Sequence, residues 1–220
     1  MKDLIIIGAG GLGRETVLTA ERINAASDTP EWNILGFIDD NLQIQCKSID
    51  GYKVIGTTSA VKNFPEAYFV VAIGNVKVRR RLAEKIKGIA DVKFATLIDP
   101  AAVICRERVS VGEGCIICAN TYITLDIKIG NHVYIGGNTT IGHDSQIGDF
   151  VTLYPGVNLS GITKVGSNTE IGTGSCIIQM LSIGSDSVVG AGSVVIKNIP
   201  PNCTAVGAPA KVIKINEKRI

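Results

Sequence analysis

The chain has 220 residues, with 22 basic against 20 acidic side chains for a formal charge of +2 and an apolar fraction of 45%. That length gives room for one domain or two small ones with a real core, and so even a balance of charge gives no electrostatic reason to expect a nucleic-acid binder. Twenty-five glycines against five Phe, five Tyr and one Trp leave the core to Ile, Val and Leu around many tight backbone positions, a composition suited to a repetitive β architecture.

The first apolar run, Leu4 to Ile7, is four residues long. It is too short for a signal-peptide core or a membrane span, so a cytoplasmic protein is expected. In chain order, LIIIGAGGLGRETVLTAERI reads as a buried strand, a glycine turn and a helix, and ILGFIDD as a second strand. GTTSAVKNF then reads as a short helix, FVVAIGN as a later strand, and VKVRRRLAEKIKGI as a longer helix with its basic residues on the exposed side. Such alternation predicts a small parallel α/β sheet with helices on its faces over residues 1–100. Gly8, Gly10 and Gly13 form G-x-G-x-x-G after a strand and before a helix, the turn that cradles phosphate on backbone N–H groups and a helix N-terminus. Asp39 and Asp40 close the second strand, where an acid meets ribose in dinucleotide folds. A glycine turn that merely packs strand on helix fits the same residues.

From Val111 to Val195 every sixth residue is Ile, Val or Leu, fifteen of fifteen, and Gly follows at nine of them. A hexapeptide period is the signature of a parallel β-helix, in which stacked units share one core. Three hexads make a triangular coil of eighteen residues, so residues eighteen apart stack at about 4.8 Å. The glycine after the aliphatic residue is read as easing the bend. The second unit is placed at 101–220 as a left-handed prism. The six cysteines read as small buried residues, and the C-x-x-C of Cys115 and Cys118 has no second pair and straddles two phases of the repeat.

His143 and Asp144 are the third and fourth residues of the hexad that begins at Ile141, and they fall at a bend. Gly161 stacks one coil beyond His143. On the residues alone two readings stand: a solvated His-Asp turn, or a base beside a backbone N–H, the pair of groups that acyl transfer needs. His132 lies in another phase and reads as a surface residue. Two histidines at unrelated phases do not make the three-imidazole zinc site of a hydratase, and no metal is expected.

The hexapeptide run, the IGHD corner and the ending VVGAGSVVIKNIPPNCTAVGAPAKVIK resemble bacterial hexapeptide acetyltransferases that use acetyl-CoA. With GAGGLGRE, GFIDD and VVAIGN in front, the whole chain is similar to the sugar acetyltransferases that modify nucleotide-linked amino sugars or sialic acid. In that family a Rossmann-like domain precedes a left-handed β-helix. The resemblance implies His143 as general base, Asp144 as its orienter and the Gly161 N–H as receiver of the thioester oxygen. It implies a homotrimer with active sites between subunits and coenzyme A in the groove between two prisms, lined by Gly161, Thr152, Thr173 and Ala191. Many relatives carry a second histidine where this chain has Thr152. The front pocket would hold the nucleotide of a sugar on Gly8, Gly10, Gly11, Leu12, Gly13, Asp39, Asp40, Gly74 and Asn75. Leu12 stands where many relatives have a bulkier polar or aromatic residue. The GAPAK segment is read as a loop returning along the last coil, with Lys197 and Lys211 as solvated charges or neighbours of the coenzyme 3′-phosphate.

The function implied is acetylation of the 4-amino group of a nucleotide-linked 4-amino-4,6-dideoxy sugar for a bacterial surface glycan. The alternatives are O-acetylation of sialic acid and a non-catalytic trimeric scaffold with a nucleotide-sensing domain. An oxidoreductase reading of the glycine motif has no residue set for hydride chemistry and leaves the β-helix idle.

Overall fold

The computed structural model describes residues 1–215, so the last five residues of the expected 101–220 span lie outside the described residues. The chain divides into two compact units, Met1–Pro100 with Glu113–Ile116, and Ala101–Gly112 with the chain from Ile117 onward.

The front unit is built on β1 (Lys2–Ile7), α1 (Gly11–Ala25), β2 (Trp32–Ile38), β3 (Ser48–Ile49), β4 (Tyr52–Gly56), β5 (Tyr68–Val71), α2 (Val76–Lys87) and β6 (Lys93–Phe94). The sheet order is β3-β4-β2-β1-β5-β6. Its pairings are parallel except at the β3–β4 hairpin. The apolar run that reads as a strand is buried from Leu4 to Ile7, as expected of a strand covered on both faces. The chain runs from β1 to β2 on one side and returns on the other through β5, so β1 and β5 flank the point where strand order reverses. Ligands of open α/β sheets bind in the crevice at such a point, beyond the carboxyl ends of the strands.

Three local expectations change. GTTSAVKNF forms a single 3₁₀ stretch, Thr58–Asn63. The β3–β4 hairpin was not foreseen. Arg79, expected on the exposed face of α2, is 1% exposed. Its guanidinium donates to the carbonyls of Ile73 and Gly74 at 2.9 and 3.2 Å, which offsets the desolvation of a buried cation.

The second unit consists of parallel ladders in which residues eighteen apart pair. One face runs through Tyr134–Ile135, Thr152–Leu153, Glu170–Ile171 and Val188–Val189. The next runs through Tyr122–Ile123, Thr140–Ile141, Asn158–Leu159, Cys176–Ile177 and Val194–Val195, and the third through Ile127–Ile129, Gln146–Ile147, Lys164–Val165 and Ser182–Ile183. The ladder starts earlier than the strict repeat: Val103–Ile104 pairs with Tyr122–Ile123, nineteen residues on.

The beat residues fill the interior; Ile135, Ile141, Leu153, Ile171, Val189 and Val195 are fully buried, each contributing about 1.5–3 kcal/mol. Four residues after the beat, small side chains turn inward, and their hydroxyls find carbonyls, as with Thr163 to Ser160 at 2.6 Å and Ser175 to Gly190 at 2.9 Å. Buried polar groups are tolerated on that condition.

The glycine after the beat does not make the bend. None of these nine glycines has positive φ; they are needed because coils approach closely, and a Cβ on Gly172 would stand 2.4 Å from the Ala191 nitrogen. The left-handed residue comes two positions later, where Asn138, Asp144 and Asn168 sit at φ 58 to 60°, a region that Asn, Asp and Gly enter most readily. GAPAK is also corrected: Cys203–Gly207 and Ala210–Ile215 form an antiparallel hairpin, so Lys211 lies in a strand.

Candidate active site

Strand Thr140–Ile141 ends at a corner whose residues are Gly142, His143 and Asp144. Asp144 takes the left-handed conformation, and the His143 and Asp144 side chains project from the edge, 57% and 54% exposed. His143 Nδ1 lies 2.7 Å from Asp144 Oδ2. An ionised carboxylate can only accept, so Nδ1 is the donor of this pair, and in the neutral ring the lone pair then falls on Nε2.

One coil on, Gly161 lies against the imidazole. A Cβ there would stand 2.7 Å from His143 Nε2 and 2.9 Å from Cε1, while a Cβ on Gly142 would stand 2.5 Å from the Gly161 nitrogen. Two missing side chains therefore leave the Gly161 N–H uncovered beside the ring, and among the described residues it has no backbone acceptor. The Gly161 carbonyl is held by the Met180 N–H at 3.1 Å, and the His143 carbonyl by the Ile162 N–H at 2.7 Å. A base with a free lone pair next to an open backbone donor can take a proton from a nucleophile and stabilise an oxyanion. Gly142 was not singled out from sequence; its place between the beat residue and the histidine was the available signal.

Of the expected coenzyme liners, Gly161 stands at this edge, and Thr152, Thr173 and Ala191 do not. Thr173 and Ala191 are exposed one above the other, with the Gly192 N–H bonded to the Thr173 carbonyl at 2.8 Å, but they occupy the edge that follows the Thr152 face. Thr152 itself is corrected: it is fully buried in its strand, between Tyr134 and Glu170. His132, expected at the surface, is 2% exposed and stacks on Phe150 with ring centroids 4.8 Å apart. A groove of about 560 Å³ on the third face, lined by Lys128, Gln146, Lys164, Asp149, Ser167 and Ser185, contains neither His143 nor Gly161. Lys197 and Lys211 are exposed. All six cysteines are free thiols, but the expectation that they are buried holds only for Cys115 and Cys203; Cys118 is partly buried, and Cys46, Cys105 and Cys176 are exposed. Among the described residues no cluster of three His, Cys, Asp or Glu is placed to hold a metal, and no helix is long and apolar enough to cross a membrane.

In the front unit the expected residues do converge, at the carboxyl ends of β1, β2 and β5. Gly8, at φ 101°, has no room for a side chain, since a Cβ would stand 2.5 Å from Ile73 Cδ1 and 3.0 Å from the Ala72 carbonyl oxygen. Gly13 is pressed on Gly8, where a Cβ would be 2.0 Å from the carbonyl oxygen. Gly10, Gly11 and Gly74 face open space, with nothing within 4 Å of a Cβ. Gly10 caps α1 without any side-chain hydrogen bond, so no cap side chain covers the first N–H groups of the helix. Leu12 is half-buried at the same turn.

Asn75 caps α2 by accepting from the Val78 N–H at 3.0 Å, and Arg79 holds Gly74 in place from beneath. Asp39 accepts from the Ala9 N–H and the Asn41 N–H, both at 2.9 Å, tying the second strand end to the glycine turn. Asp40 is engaged elsewhere, by the Thr58 N–H at 2.8 Å and Lys85 Nζ at 2.9 Å. Burial raises the Asp40 carboxyl, but donation from Thr58 and Lys85 outweighs it and holds the pKa below the usual 3.8.

Comparison with known proteins joins the two units. Residues 3–86 match the family of the PglD N-terminal domain. Residues 126–161 match the bacterial transferase hexapeptide, and 103–124 with 162–197 the hexapeptide repeat of succinyl-transferase. The UDP-N-acetylbacillosamine N-acetyltransferase of Bacillus subtilis is 39% identical over 125 residues, which is 54% of this chain and 52% of that protein. The GDP-perosamine N-acetyltransferase of Escherichia coli O157:H7 is 33% identical over 57% of this chain and 55% of its own. The matched segments thus span about half the length of these curated relatives. Among solved structures, the acetyltransferase domain of PglB from Neisseria gonorrhoeae superposes with a TM-score of 0.85 at 32% identity, over 97% of this chain and 100% of that one. It has also been solved with acetyl coenzyme A. PerB from Caulobacter crescentus, with CoA and GDP-perosamine, gives 0.85 at 28% identity over 96% and 97%. With both halves matched and a relative of this identity covered from end to end, the chain belongs to the hexapeptide-repeat sugar acetyltransferases that carry a PglD-type N-terminal domain.

Proposed function

We propose that the protein transfers the acetyl group of acetyl-CoA to the 4-amino group of a nucleotide-linked 4-amino-4,6-dideoxy sugar, in the making of a surface glycan. The observation that carries this reading is the His143 corner, where a proton-accepting Nε2 lies beside a backbone N–H that two glycines keep bare. In the reaction the amine nitrogen forms a bond to the thioester carbonyl carbon while its proton passes to His143 Nε2. The Gly161 N–H steadies the oxygen as it gains charge. When the tetrahedral intermediate collapses, the carbon–sulfur bond breaks and the proton returns from the imidazolium to the departing thiolate. Asp144 orients the ring. A positioned base is worth about 10² to 10⁴ in rate.

The nucleotide end is assigned to the crevice of Gly8, Gly10, Gly11, Leu12, Gly13, Asp39, Gly74 and Asn75, with its phosphates toward the first N–H groups of α1. Asp40 is assigned a supporting part, because Thr58 and Lys85 already engage it. We further infer a left-handed coil and a homotrimer. His143 and Gly161 stand on one edge of the prism and Thr173 and Ala191 on another, an arrangement that suits a coenzyme held between two copies of the chain. Support comes from the relatives named for N-acetylation of nucleotide amino sugars.

The test is thiol release from acetyl-CoA with a panel of nucleotide-linked 4-amino sugars and free sialic acid. Turnover with one amino sugar and none with sialic acid is expected. Turnover with sialic acid alone would move the assignment to O-acetylation, and nucleotide binding with no turnover on any acceptor would favour a scaffold.

A further inference from the structure

The left-handed position that closes a corner of the prism holds Asn, Asp or Gly in most coils, as at Asn120, Asn138, Asn168 and Asp186. Four corners depart from this. Two of them, His132 and Phe150, stack on each other. The other two, Ile162 and Met180, both at φ 62°, follow Asp144 along the His143 edge one coil at a time. A β-branched residue at that φ is a true outlier, and strain of this kind gathers at functional sites. Ile162 keeps a share of its surface open, 38% exposed, and Met180 is 68% exposed. Among the described residues, every large apolar side chain that is exposed at a corner lies on this one edge, with Leu125, Ile178 and Ile196 completing the set.

We infer that Ile162, backed by Met180, is the wall that limits the acyl group to acetyl, an inference that rests on the acetyl-transfer reading of the same corner. Ile162 follows Gly161 directly. A thioester whose oxygen is received by the Gly161 N–H has its acyl carbon within a residue's reach of the Ile162 side chain. The isoleucine is stiff at χ1, and its N–H is bonded to the His143 carbonyl at 2.7 Å, so the wall keeps register with the base. A methyl group is accommodated, whereas a longer acyl chain overlaps the branched side chain. An Asn or Gly would sit at this φ with less strain and would leave the space open.

The experiment compares kcat/KM for acetyl-, propionyl- and butyryl-CoA with one acceptor, in the full-length wild type and in Ile162→Gly, Ile162→Asn and Ile162→Val. The wild type is expected to discriminate about tenfold or more for each added methylene. The Gly and Asn variants should lower the acetyl-to-butyryl ratio by about tenfold or more, and Val by less. The Gly and Asn variants should remain folded, because relief of the strained φ offsets part of what the lost side chain contributed. A ratio unchanged within about twofold in folded variants, a wild type indifferent to chain length, or a change of oligomeric state without a change in ratio would overturn the inference. A wild type silent with every thioester would instead overturn the acetyl-transfer reading beneath it.

Discussion

Each unit of the chain depends on glycines of two kinds, and they are best understood side by side. In the front unit a Cβ on Gly13 would strike a backbone oxygen at 2.0 Å, whereas Gly10 and Gly11 would meet nothing. In the prism, Gly142 is pressed against the next coil, whereas a Cβ on Gly161 would meet the imidazole first. A glycine demanded by backbone packing reports on the fold. One that the backbone does not demand reports on something that must approach, and in each unit such a glycine borders the candidate site.

The sharpest way to break this distinction is Gly161→Ala. The added methyl displaces the ring or covers the donor, and turnover should fall about 10²- to 10³-fold, the range for loss of one oxyanion contact, with an unaltered melting temperature. A parallel loss of thermal stability would put Gly161 with the packing glycines. Gly13→Ala should do the reverse and destabilise the front unit by about 1–3 kcal/mol or more through overpacking, measured by denaturant unfolding.

Gly11→Ala, at an open position, should leave stability within about 1 kcal/mol and weaken nucleotide binding, read by calorimetry. The smallest effect concerns Asp40. Its pKa is lowered on folding, so its contribution is fully present above the unfolded value of 3.8 and is lost as pH falls through the lower folded value. Asp40→Asn should therefore flatten the acid limb of the stability curve slightly, because the Lys85–Asp40 pair is about half exposed and screened.

The parallel ladders of the second unit were legible almost residue by residue, because one period fixes which side chains turn inward. The reason for its glycines was not, since close approach between coils is a three-dimensional fact that a local bend imitates in sequence. The β3–β4 hairpin had a turn signal in Asp50-Gly51, but its first strand is only Ser48–Ile49, too short for alternation to register. Arg79 and His132 were misplaced for different reasons: Arg79 is a polar type in a mostly polar stretch and His132 stands at a corner phase, and only packing reveals a buried guanidinium on two carbonyls or an imidazole stacked on Phe150. In the candidate sites, the pairing of His143 with Gly161 followed from the eighteen-residue coil. The same period puts Thr152 in a strand, directly before the beat residue Leu153, so its strand position was legible too, and only the resemblance made it a liner.

The most direct measurement is steady-state acetyl transfer by the wild type and by His143→Asn, with nucleotide affinity determined on the same preparations. A loss of about 10² to 10⁴ in kcat/KM with unchanged nucleotide binding is expected. Turnover in the variant within about twofold of the wild type would contradict a general base at this corner.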